Sequence, residues 1–222
     1  MVGAAVDTGD LASVRQLVDH VRASTSHIDV LINNAGALSD SYQTNGDGVE
    51  STLASHLIGP YSLTTELKSH LAPGGRILWM ASGGMYTQKL DLDQLEMRPD
   101  NYKGAIAYAR AKRAQVELVT HLGQQWAPEV VMHAMHPGWV ATPGVDAALP
   151  GFANLLGPTL RTPEQGADTM LWLAATGGND SPPGRFFLDR LARKTSYLPG
   201  TEATPVERQR LVEWLQSAIK RS

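Results

Sequence analysis

Three short stretches, Ile28 to Ile32, Arg76 to Ala81 and Val130 to Met135, are largely apolar. Each gives way at once to small or polar residues: Asn33-Asn34-Ala35-Gly36, Ser82-Gly83-Gly84 and His136-Pro137-Gly138-Trp139. Such runs, with little polar alternation, suit strands buried on both faces, the condition of a parallel sheet covered by helices on each side. The segments between them follow a helical period. Asp10 caps a helix that places Leu11, Val14, Leu17, Val18 and Val21 on one face. A long helix is expected from about Asp47 to Leu71, stopped by Pro73-Gly74-Gly75, and another from Ala105 to roughly Trp126. Val2 to Val6 reads as a further buried strand that ends in the turn Asp7-Thr8-Gly9-Asp10. Strand and helix alternate throughout, which specifies a parallel α/β sheet.

The remaining chain is less regular. Residues 85 to 103 form an irregular insert, and beyond Pro143 the text loosens into glycine and proline at Gly144, Pro150, Gly151, Gly157 and Pro158, as expected of a lid or substrate-side loop. Thr162 should cap a helix running from Pro163 to about Ala175, and Arg185 to Leu188 gives a last short strand. A terminal helix, Val206 to Ile219, carries Leu211, Trp214, Leu215 and Ala218 as an apolar stripe that packs on the domain. There is no internal repeat, and residues 1–222 read as a single domain.

Composition narrows the function. A formal net charge of -3 offers no basic footprint for nucleic acid. No apolar run approaches the roughly 18 residues of a membrane span, and the apolar start at Met1 is too short for a signal peptide. Without cysteine there are no disulfides or thiolate metal sites, which is compatible with a cytoplasmic protein. The histidines show no H-x-x-x-H or H-E-x-x-H spacing, so no metal is expected. What remains is small-molecule work.

Ligands of an open parallel sheet sit outside the carboxyl ends of its strands, and the distinctive polar residues fall there. Tyr108 and Lys112, four apart in the expected helix, leave the same face. An ammonium beside a phenol stabilises the phenolate and lowers the tyrosine pKa, making Tyr108 a candidate general acid/base. His136 reads as a hydrogen-bonded structural histidine at a strand end.

The strand-end Asn33-Asn34-Ala35-Gly36, Met80-Ala81-Ser82, Tyr108-x-x-x-Lys112, and Pro137-Gly138 followed by Thr142 stand in an order that resembles the short-chain dehydrogenase/reductase family, and the similarity covers essentially the whole chain. The resemblance implies a Rossmann-like doubly wound parallel sheet and hydride transfer between NAD or NADP and a small-molecule carbonyl or alcohol. It implies that Tyr108 moves the proton, that Lys112 lowers the tyrosine pKa and holds the nicotinamide ribose, and that Ser82 bonds the substrate oxygen. Asn34, Ala35 and Gly36 would let the cofactor approach the backbone, and Asp7 would contact adenine. Pro137, Gly138, Val140 and Thr142 would meet the nicotinamide carboxamide and pyrophosphate. Met85, Trp139, Val145, Phe152, Leu155 and Leu156 would line an apolar substrate side. Homodimers built on the Asp47 and Tyr108 helices are a further family expectation.

Two features depart from the family pattern. His56 stands where many members carry the asparagine of a catalytic tetrad; a histidine can still bond a water or relay a proton. The pattern T-G-x-x-x-G-x-G, with its flanking first strand, helix and second strand, does not occur in these 222 residues. The fold is therefore expected to lack the first β-α-β portion, to leave an apolar edge on the Val30 strand, and to bind dinucleotide weakly, as in an N-terminally truncated member. The competing expectation is a non-catalytic fragment or pseudoenzyme acting by protein interaction.

Overall fold

The computed structural model describes residues 3–141, 160–178 and 181–221. Its centre is one sheet in the order β1 (Ile28–Asn33), β2 (Leu71–Met80), β3 (Val131–Met135), β4 (Phe186–Leu188) and β5 (Leu191–Arg193). The first four strands run parallel, as the apolar runs predict, and β5 turns back antiparallel to β4. Nothing in the apolar pattern announces β5. Its connection, Asp189-Arg190, holds φ of 55° and 59°, the left-handed pair that a two-residue hairpin needs. Asn-Gly normally marks that geometry, so Asp-Arg conceals it.

The helices are α1 (Leu11–Ser24), α2 (Gly59–Leu67), α3 (Gly104–Trp126), α4 (Pro163–Thr176) and α5 (Pro205–Arg221). Alternate strand residues divide the core. Ile77, Trp79, Met132, Ala134 and Phe186 face the larger cluster with Leu118 of α3 and Leu211 of α5, while Leu78, Met135 and Phe187 meet Met170 and Leu173 of α4. The terminal helix thus packs as its stripe predicts, with Leu211 and Leu215 fully buried.

Three expectations need correction. Gly3 to Val6 form no strand; a strand requires a partner, and among the described residues β1 pairs only with β2. The apolar edge is real, since Ile32 of β1 is 40% exposed. The long helix does not start at Asp47, because Asn45 captures that segment in a turn, its Oδ1 accepting from Asp47 N at 3.0 Å and Val49 N at 2.9 Å. Helix begins at Ser51, where Glu50 accepts from Thr52 N at 2.7 Å and Leu53 N at 2.9 Å, and passes through a π-helical turn, Ala54–Ile58, into α2. Third, Leu71 to Gly75 already belong to β2, whose register against β1 slips between Ile28 and Val30.

Two devices fix the helices that carry the site. Thr8 O lies where a Cβ on Gly59 would sit 1.7 Å away, so only glycine lets the turn before α1 rest on α2. At the other end, Glu117 of α3 is shared by two cations: Arg113 Nη2 stands 2.7 Å from Oε1, and Arg208 Nε of α5 donates to Oε2 at 2.7 Å. Arg113 also donates to Thr195 O at 2.5 Å and Thr201 O at 2.6 Å, tying the segment between β5 and α5 to α3.

Candidate active site

Ser82 follows β2 after Ala81 and caps the short turn Gly83–Thr87, its Oγ accepting from Gly84 N at 3.2 Å. Tyr108 lies in the second turn of α3, with the Ser82 side chain near enough to its hydroxyl to favour the phenolate. One turn on, Lys112 is 3% exposed and donates from Nζ to Met80 O at 2.7 Å, with Nζ 5.3 Å from the Tyr108 ring centre. His56 closes the group edge-on to Tyr108, ring centres 5.2 Å apart. Four side chains that the sequence scatters over residues 56 to 112 therefore meet at the carboxyl end of β2.

His56 sits within the π-helical turn, an irregularity that often accompanies functional sites. Its Nε2 is 2.7 Å from Ala37 O and 3.2 Å from Ala37 N; the shorter contact makes Nε2 the proton donor. Nδ1 is then unprotonated, buried and without a partner among the described residues. A Cβ on Gly36 would lie 2.3 Å from the His56 ring, so glycine is what allows the loop after β1 to close on it. Gln115 of α3 donates to His56 O and fixes the backbone beneath the ring.

Electrostatics correct one expectation. Burial pushes the Tyr108 phenol above its ordinary value, and the nearby Ser82 side chain offsets only part of this. Lys112 does not drive the phenol down, because burial lowers its own ammonium to about 7. Near neutral pH Tyr108 is a protonated acid and Lys112 is divided between ammonium and amine.

Burial holds His56 at about 3, with the nearby Lys112 charge acting in the same direction, and holds His133 and His136 at about 4. Unfolded, all three return to the reference 6.5. Between these values the unfolded chain binds more protons than the native one, so stability rises with pH across the window and is lost as pH falls from about 6.5 towards 3. Urea unfolding followed by circular dichroism should show His56→Asn reducing that slope, by on the order of 1 kcal/mol per pH unit. An unchanged slope between pH 6.5 and 4 contradicts the assignment.

The other expected site residues are placed as follows. Asn34, Ala35 and Gly36 lie exposed on the loop after β1, and Asn33 is anchored by donating to Thr64 Oγ1 at 2.9 Å. Asp7 stays in the turn before α1, its carboxylate accepting from Gly9 N at 2.8 Å, the geometry of an ordinary local turn. Pro137, Gly138 and Val140 follow β3, with Val140 buried and bridged to Arg161. Thr142, Val145, Phe152, Leu155 and Leu156 lie outside the described residues. Met85 is fully buried in the main core and does not line an open face, whereas Trp139 is half exposed. His136 is structural, stacked on Phe186 with ring centres 5.3 Å apart.

Sequence reasoning misses Arg161. It pairs with both oxygens of Asp189, at 2.5 and 2.9 Å, and donates to Pro137 O at 3.2 Å, pinning the loop after β3 to the β4–β5 turn. No local signal reveals a partner so far away in the chain.

Residues 2–176 match the family model described as enoyl-(acyl carrier protein) reductase. The chain is 38% identical to the dehydrogenase/reductase SDR family member 12 of Bos taurus, over 97% of this chain and 69% of that protein. It belongs to the short-chain dehydrogenase/reductase family. The Homo sapiens member 12 is likewise 38% identical, over 95% of this chain and 67% of its own length. A crystal structure of an uncharacterized protein from Mycobacterium paratuberculosis superposes with a TM-score of 0.69 at 26% identity, covering 96% of this chain and 74% of the other. This short-chain dehydrogenase/reductase is thus a member of an oxidoreductase family with a Rossmann-like fold, and β4, β5 and α5 lie past the matched region. Among its described residues no helix is long and apolar enough to cross a membrane.

Proposed function

We propose that the chain reduces a small-molecule carbonyl, or oxidises the corresponding alcohol, with Tyr108 as the acid/base and NAD or NADP as the hydride carrier. The observation that carries this reading is the convergence of Tyr108, Ser82 and Lys112 in a mostly buried group at a strand end. A bound nicotinamide dinucleotide would supply the hydride. The residues present fit its nicotinamide-ribose half: Lys112 keeps ammonium donors beyond the one given to Met80 O, and Asn34 to Gly36 offer exposed backbone after β1. Pro137 and Gly138 stand after β3, where the same ligand would pass.

In reduction the Tyr108 hydroxyl, which burial keeps protonated at neutral pH, gives its proton to the carbonyl oxygen. Ser82 Oγ, beside the phenol, holds the same oxygen and stabilises its developing charge. Lys112, balanced near neutrality, returns a proton to the tyrosinate. His56 remains neutral and steadies the Gly36–Ala37 loop through Nε2, taking the place of the tetrad asparagine.

A second reading keeps the acid/base group without a working dinucleotide seat, as a non-catalytic domain acting by protein interaction. It draws on the absence of G-x-G-x-x-G from these residues, the glycines that bring pyrophosphate onto helix N–H groups. Deuterium transfer separates the two. Incubation with NADH or NADPH deuterated at the transferring position and a panel of aldehydes and ketones should place the label on the carbinol carbon. No transfer at millimolar cofactor favours the second reading.

A further inference from the structure

The amino edge of the sheet, opposite the end that carries Tyr108, holds a cavity of about 540 Å³. Thr120 and Gln124 from the later turns of α3 form one wall, and the start of β4 with the end of β5 forms another. Its lining carries Arg185, Arg193, Lys194 and Arg208 against one carboxylate, Glu202. Arg208 is already matched by Glu117, and Arg193 donates from Nε to Leu188 O at 3.4 Å with its charge felt by Asp189, whereas Arg185 and Lys194 have no ion-pair partner among the described residues. Arg185 and Lys194 thus leave positive charge on one concavity, and an anion between them would relieve their repulsion.

The cavity is also shaped in advance. Arg113 holds the carbonyls of Thr195 and Thr201, and Tyr86 donates to Lys194 O at 2.7 Å, so the segment carrying Lys194 is tied down at three points. Pro182, Pro183 and Phe186 add apolar surface beside the charges. A volume of this size suits a small molecule. A guanidinium fork and an ammonium match the several oxygens of a phosphate better than a single carboxylate.

We propose that this cavity is a binding site for a small organic phosphate, its dianion held by Arg185 and Lys194 and its carbon skeleton against Pro182 and Pro183. The inference does not use the Tyr108 site. Because Thr120 of the wall belongs to the same helix as Tyr108, occupancy would also brace that helix.

Calorimetric titration of the full chain at constant ionic strength tests this, with phenyl phosphate, inorganic phosphate and benzoate as probes. Phenyl phosphate should bind saturably and at least about tenfold more tightly than either of the others. Arg185→Ala combined with Lys194→Ala should weaken it by about tenfold or more, with the unliganded melting temperature unchanged. Should the double variant fail to fold, Lys194→Glu alone, at an exposed side chain, should give the same loss. Absence of saturable binding, equal affinity for benzoate, or unaltered binding by the folded variants would overturn the proposal.

Discussion

Replacing Tyr108 by phenylalanine should lower carbonyl reduction by about 10²- to 10⁴-fold, the range typical of losing a positioned general acid. The change removes one oxygen beside Ser82, and it leaves the ring in place against His56. Folding should therefore be nearly unaffected, and an unchanged circular dichroism spectrum and melting temperature would show the loss to be chemical. Cofactor affinity should hold while kcat falls, because the hydroxyl acts on the reacting oxygen. A variant that retains full turnover removes Tyr108 from the proposed role.

The largest stability effect is expected at Glu117. Its side chain is fully buried, Arg113 beside it is 1% exposed, and Arg208 completes the pairing from α5. Glu117→Ala strands the buried Arg113 charge and releases Arg208, an arrangement whose disruption typically costs about 3–5 kcal/mol. Urea unfolding should show that loss, whereas Arg208→Ala, at a side chain 13% exposed, should cost less. Equal, small losses for both would mean that solvent already screens the triad. The consequence reaches the site, since Arg113 follows Lys112 and anchors the segment between β5 and α5 to the helix carrying Tyr108.

Much of this architecture is legible in the sequence, for physical reasons. Strands buried on both faces must be written as apolar runs, and β1 and β3 appear where Ile28 and Val130 announce them, while β2 contains the Arg76 run but starts earlier, at Leu71. Thr162 and Gln165 form the reciprocal cap expected at the start of α4. What is hidden depends on distant contacts or on a local contest. Asn45 turns the chain where a helical period predicts continuation, and Asp189-Arg190 builds a hairpin without the usual turn residues. At the site, the spacing of Tyr108 and Lys112 shows that they share a face but not what surrounds them. Burial reverses the expected direction of the phenol pKa, and burial is a property of the packed chain. The contact of His56 with Ala37 and Tyr108 is equally invisible until α2 and the loop after β1 come together.

The most direct test of Tyr108 as the acid of a hydride-transfer site is deuterium transfer from labelled NADH or NADPH, measured with saturating cofactor in wild type and Tyr108→Phe side by side. The account predicts labelled alcohol from the wild type and a rate about 10²- to 10⁴-fold lower from the variant. Equal labelling by both proteins, or none by the wild type, would contradict it.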